Sequence, residues 1–165
     1  MKQLTKRANF FKFTNGTKVP LPFSDNEYEN RLKGLRKIIV DNDLDAVILT
    51  SMHNIAYYTG FIYCSFGRQY ACVVTSKRSV VVSANIDAGE PGRRCYGENL
   101  IYTDWERDNY FKAIISLVKK AKRIGIEKDH LTIERYQNLI DCLGNPEIKD
   151  IAPFTMAQRM IKSKE

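Results

Sequence analysis

The sequence predicts an α/β layer fold with a mixed sheet. Short apolar runs of strand length alternate with amphipathic segments of helix length along residues 24–159. That alternation stacks helices on a sheet. Two of the runs, Gln69–Thr75 and Val80–Ala84, are joined only by the polar Ser76–Ser79. Such a hairpin-like join puts antiparallel strands into the sheet. The chain has 165 residues, 44% hydrophobic and 27% charged, which fits one globular domain. A domain of this length buries about 68–70% of its unfolded surface and needs no disulfide or metal staple.

The elements follow in order. Residues 1–23 read as an extended basic arm, with a turn at Asn15-Gly16 and helix discouraged by Pro20 and Pro22. Phe10, Phe11, Phe13, Val19 and Phe23 give the arm apolar groups with which to be pinned down. Ser24 and Glu27 have capping-box spacing, and Tyr28, Leu32, Leu35 and Ile39 line one helical face. Asp41-Asn42-Asp43 ends that helix. Asp45–Ser51 reads as a buried strand, Met52–Thr59 as a short helix stopped at Gly60, and Phe61–Arg68 as an aromatic-rich loop. After the hairpin, residues 85–97 hold three glycines and a proline, an irregular stretch with room for one helical turn. Leu100–Thr103 reads as a strand. Asp104 is expected to cap a long helix to about Lys122, buried through Tyr110 or Phe111, Ile114, Ile115, Leu117 and Val118. Arg123–Glu127 is a strand and Thr132–Leu143 a helix broken at Gly144-Asn145-Pro146. Glu147–Ile151 is a last strand, and Pro153 opens a final helix through Arg159.

Composition excludes several classes. No apolar stretch approaches the roughly 20 residues that span a bilayer, and the N-terminus lacks the continuous apolar core of a signal peptide. The net charge of +7 is concentrated. Residues 1–40 hold nine Lys/Arg against three Asp/Glu, whereas residues 41–165 hold seventeen against sixteen. A nucleic-acid groove more often spreads basic residues over one face of the body among aromatics, so no nucleic-acid partner is expected. The arm reads as solvated charge, or as a contact for an anionic partner or another domain. Cys64, Cys72, Cys95 and Cys142 form no C-x-x-C pair and have no His at ligand spacing, so neither a metal nor another cofactor is expected. Reduced thiols in a cytoplasmic protein are the corresponding expectation. His53 and His130 lie far apart in sequence and read as structural. Asp104, Glu106 and Asp108, spaced by two, point in different directions and read as favourable charge at a helix start.

The Phe61–Arg68 loop and its flank are the informative feature. Tyr63, Phe66 and Tyr70 bracket Gly67-Arg68. An aromatic plate beside a guanidinium can clamp a small ligand, the ring against a flat group and the Arg on a carboxylate. The same residues can equally be an Arg packed on aromatics at a loop edge. No G-x-S-x-G, H-E-x-x-H, Walker A or G-x-G-x-x-G motif is present, so no catalytic residue is read in this chain.

Five segments decide between those readings: TSMHNIAYYTGFIYCSFGR (50–68), SANIDAGEPGRR (83–94), YTDWERDNYF (102–111), RIGIEKDHL (123–131) and RMIKSKE (159–165). Through them the chain resembles the N-terminal domain of the creatinase/Xaa-Pro peptidase, or pita-bread, family. YCSFGR and YTDWERDNYF resemble the creatinase branch in particular. The resemblance implies a three-layer domain with a mixed, mostly parallel sheet flanked by helices. It divides the chain into an arm (1–23), the domain proper (24–158) and the start of a linker (159–165) to a C-terminal catalytic domain. It implies a metal-free homodimeric amidinohydrolase that converts creatine and water to sarcosine and urea. One subunit's N-terminal domain lends a Phe and an Arg, here Phe66 and Arg68, to the other subunit's site, while the proton-shuttling His belongs to the C-terminal domain. Two alternatives remain: the N-terminal domain of an Xaa-Pro dipeptidase or aminopeptidase, and a non-catalytic protein-binding module of the same fold.

Overall fold

The computed structural model describes residues 7–64, 67–87 and 89–165. A seven-stranded sheet runs in the order β1-β5-β4-β3-β2-β6-β7. Its strands are β1 (Phe10–Phe11), β2 (Ala46–Leu49), β3 (Ala71–Thr75), β4 (Ser79–Ala84), β5 (Glu98–Tyr102), β6 (Arg123–Ile126) and β7 (Glu147–Asp150). The helices are α1 (Asp25–Asp41), α2 (Met52–Thr59), α3 (Glu90–Arg94), α4 (Asn109–Val118), α5 (Ile133–Leu143) and α6 (Ala152–Met160). The period of two along each strand sorts side chains into two cores. Ala46 and Ile48 pack with Ile114, Val118 and Leu139 of α4 and α5, whereas Val47 and Leu49 pack with Leu32, Leu35, Ile55 and Tyr58 of α1 and α2. Helices therefore cover both faces, as expected of an α/β layer fold. Among the described residues no helix is long and apolar enough to cross a membrane.

The sheet is mixed, and the arm changes its balance. The pairs β2–β6, β4–β5 and β6–β7 are parallel; β2–β3, β3–β4 and β1–β5 are antiparallel. Parallel pairing is in the majority only if β1 is left out. The arm supplies that strand by pairing Phe10 with Tyr102 and Phe11 with Ile101. It is held further by Thr103 N donating to Asn9 O (2.9 Å), Val19 N donating to Arg93 O (3.1 Å) and the Lys12–Glu98 ion pair (2.8 Å). Lys18 also donates to the carbonyls of Cys95 and Gly97. The apolar arm is thus pinned across the sheet edge, which it covers.

Three local expectations need correction. Ser24 accepts from Glu27 N (3.2 Å), but Glu27 does not return the bond. Its carboxylate pairs with Arg31 (2.7 Å), and Ser24 N is satisfied instead by the Glu165 carboxylate (3.1 Å). Secondly, α4 begins at Asn109, after turns through residues 104–108. Trp105 Nε1 donates to Ala8 O (3.1 Å) and Asn109 Nδ2 to Thr103 O (3.1 Å), and these contacts hold the segment out of the helix. Thirdly, the irregular stretch contains a 3-10 turn at Asn85–Asp87 as well as α3.

Candidate functional site

The segment from Gly60 to Tyr70 joins α2 to β3. Two structures set its entry. The first is the start of α2, where the Glu127 carboxylate, only 2% exposed, closes a knot. It accepts from Thr50 N (2.5 Å), Ser51 N (2.9 Å), Ser51 Oγ (2.5 Å) and Asn54 Nδ2 (2.5 Å). A carboxylate at the N-terminus of a helix meets unpaired N–H groups and the positive end of its dipole. Four donors are the condition under which a buried charge is tolerated. The second is Gly60, which ends α2 in the left-handed region at φ 74°. A side chain there would be strained, and its Cβ would lie 2.6 Å from Tyr28 Oη.

The loop stem is then fastened at several points. Phe61 is buried. The Tyr63 and Tyr70 rings stack with centroids 4.2 Å apart and planes at 20°. Tyr63 Oη donates to Thr50 O (2.9 Å), Tyr70 Oη to Asp87 Oδ2 (2.7 Å) and Tyr110 Oη to Tyr70 O (3.2 Å). Gln69 N donates to Tyr102 Oη (3.1 Å). Burial pushes the Tyr63 and Tyr102 phenols up to about 12 and raises Tyr70 further, helped by Asp87. All three remain neutral at pH 7 and keep their hydroxyl protons. Asp87 is itself raised, first by burial and also by Glu90 and Asp104, while the Tyr70 hydrogen bond and Arg68 oppose that.

These contacts change the expected clamp. Tyr63 and Tyr70 occupy each other's ring faces, so they are stem rather than plate. Phe66, the remaining aromatic candidate, lies outside the described residues. Arg68 is described and leaves the stem beside Gly67, which adopts φ 83° with nothing within 4 Å of an added Cβ. Its side chain is 46% exposed, and Nε lies 3.4 Å from Asp104 Oδ1. Asp104 is therefore the partner of the loop arginine and not a helix cap. Arg68 also lines a small crevice with Tyr63, His130 and Arg135.

The two histidines, distant in sequence, line one hollow of about 270 Å³ with Glu127. His130 Nδ1 is 3.1 Å from Thr50 Oγ1, a structural contact at the same knot. Among the described residues no group of three or more His, Cys, Asp or Glu side chains is placed to hold a metal. The four cysteines are free, and burial raises the Cys72 and Cys95 thiols, the latter to about 11. What the arrangement offers is a presented guanidinium on a rigid stem, suited to gripping and orienting a carboxylate.

The fold, two helical layers around a mixed sheet, is one that this chain shares with known proteins. The family model of the creatinase/prolidase N-terminal domain matches residues 31–161, and the chain belongs to that family. The creatinase of Bacillus sp. (strain B-0618) is 44% identical over 154 residues, covering 91% of this chain and 38% of that protein. An uncharacterized peptidase of Staphylococcus epidermidis is 25% identical over 139 residues, covering 82% of this chain and 38% of that protein. The chain thus spans about two fifths of the length of these curated relatives. A proline dipeptidase structure from Streptococcus pneumoniae superimposes with TM-score 0.72 at 20% identity, over 79% of this chain and 98% of that one. The prolidase from Pyrococcus horikoshii gives TM-score 0.68 at 17% identity, over 82% of this chain and 36% of that one. At such identities the likeness of the structures concerns the fold.

Proposed function

We propose that this chain is the substrate-gripping and dimer-forming N-terminal domain of a creatinase-like cytoplasmic hydrolase, preceded by its basic arm and followed by a linker from residue 159. Creatine carries a planar guanidinium and a carboxylate. Phe66 offers a ring to the first and Arg68 a two-pronged, charge-assisted grip to the second. Neither moves a proton, so their part is binding and orientation, and the proton shuttle is supplied by a C-terminal domain. One observation carries the reading: a half-exposed arginine held out from a stem whose hydrogen bonds are nearly all made by tyrosine hydroxyls. The 44% identity to a creatinase supports creatine over a dipeptide.

The test is Arg68→Ala in the full-length protein, assayed as urea release from creatine. Loss of a charge-assisted partner should cost about 1.5–3 kcal/mol in kcat/KM. Lysine should restore only part, because an ammonium lacks the planar fork. A hybrid dimer separates action across the interface from action within a subunit. With Arg68→Ala in one subunit and the C-terminal His removed from the other, one working site should remain, because the subunit that keeps its His is served by its partner's intact Arg68. With both lesions in one subunit, no working site should survive, because the unaltered subunit's His is then met by the partner's Arg68→Ala loop. The reverse pattern, with activity surviving only when both lesions share a subunit, would place Arg68 in its own subunit's site. Metal-dependent cleavage of Xaa-Pro dipeptides without urea release would establish the peptidase reading instead. Absence of both activities in the full-length protein would leave the binding module.

A further inference from the structure

The stem fixes where Arg68 leaves the backbone, but a long arginine side chain can still swing through many rotamers. A second group must fix the direction of the guanidinium if it is to meet a substrate in one pose. The charges around it leave one candidate. Arg68 lines a hollow of about 170 Å³ with Asp104, Glu106 and Arg107. Glu106 is engaged by Lys112 (2.5 Å) and Arg107 by Glu134 (2.7 Å). Nearby Asp87 takes the Tyr70 hydroxyl (2.7 Å). Asp104 is left for Arg68, and its Oδ1 approaches the guanidinium at Nε.

The atom approached matters. A guanidinium can grip a carboxylate along the edge that includes Nε or along the edge formed by Nη1 and Nη2. An anion beside Nε disfavours a second anion on that edge and leaves the Nη1/Nη2 edge. The 3.4 Å separation is longer than a normal N–H···O bond. Asp104 therefore steers the group without using its donors. We propose that Asp104 is a positioning residue for Arg68, holding it by Nε so that the Nη1/Nη2 edge takes the substrate carboxylate end-on. The proposal rests on the substrate-gripping reading of Arg68. It adds the direction of approach, with the carboxylate entering along the guanidinium's long axis. Asp104 lies in a sequence stretch that otherwise reads as a helix start, and its own partner is 36 positions away.

A double-mutant cycle of Asp104→Asn with Arg68→Lys tests it, in the full-length protein with creatine and urea release as the readout. A partly exposed ion pair couples by at most about 1 kcal/mol, so Asp104→Asn should raise KM about two- to fivefold and leave kcat nearly unchanged. In the Arg68→Lys background, which has no Nε, the same substitution should change KM little. Asp104→Glu should recover part of the loss. Equal effects of Asp104→Asn in both backgrounds, with Arg68→Ala still damaging, overturn the role of Asp104 alone. An Arg68→Ala variant with unchanged kinetics overturns the substrate-gripping reading itself. A second measurement needs no turnover: the Arg68 Nε–H signal in nitrogen-15 NMR of the 165-residue chain. It should be ordered in the parent and averaged in Asp104→Asn, and the same signal in both overturns the proposal.

Discussion

Two carboxylates, Glu127 and Asp104, organise the two ends of the α2–loop region in opposite ways. Glu127 is buried and accepts from four donors on the turn into α2. Asp104 lies at the surface, its side chain 26% exposed, and meets one arginine through a loose ion pair. The first interaction cannot be exchanged for water without leaving several buried polar groups unpaired. The second can be broken or shared at small cost, because solvent screens both partners. The comparison separates a contact that sets the fold from one that can take part in binding. A site that must accept a substrate carboxylate needs the second kind, mounted on the first.

Glu127→Ala should break that contrast most severely. It leaves the Thr50 and Ser51 amides and the Asn54 amide group facing a void, an expected loss of about 3–5 kcal/mol in urea-induced unfolding. Glutamine should recover only part, since its NH₂ group would face donors. A loss under about 1 kcal/mol would show that the knot is dispensable. Gly60→Ala should come next, at about 1–3 kcal/mol. It combines a left-handed backbone with a Cβ 2.6 Å from Tyr28 Oη, and a melting temperature equal to the parent's would refute it.

Glu98 supplies an intermediate case at the arm. Hydrogen bonds from Arg78 first, and from Lys12 second, hold its carboxyl at about 2, below its ordinary 4.5. The folded value is the lower one, so the stabilisation is fully present above about pH 4.5 and is lost as pH falls toward 2. The side chain is 40% exposed, and solvent screening keeps the contribution within about 1 kcal/mol. Glu98→Gln should flatten the stability curve in that acid window by this amount, with little change in its shape above pH 5. The smallest expected effect is that of Arg68→Ala on the stability of the chain, within about 0.5 kcal/mol. A larger loss would place Arg68 with Glu127 as a fold-setting group.

Much of the scaffold was legible in the sequence because its signals are local. The apolar DAVILTS run gave β2, and the Gln69–Ala84 pattern gave the β3–β4 hairpin. Gly60, read as the stop of the Met52–Thr59 helix, ends α2 in the left-handed region. The α4 boundary was not legible: residues 104–108 have helix-compatible composition, and they turn because Trp105 and Asp104 are drawn to Ala8 and Arg68. Nor was β1, a two-residue strand whose pairing partner lies about 90 positions away.

The site divides along the same line. The sequence by itself determined the layer architecture, since periodicity and capping depend on neighbours within a turn or a strand. It also singled out Arg68 within an aromatic loop. Only the tertiary structure decided that Tyr63 and Tyr70 stack as a stem, that Glu127 knots the entry to α2 and that Asp104 faces Arg68. Asp104 and Glu127 meet partners 36 to 77 positions away. A carboxylate carries no mark of its future partner in its own neighbourhood, because which donors surround it is set by the crossing of strands and not by spacing along the chain.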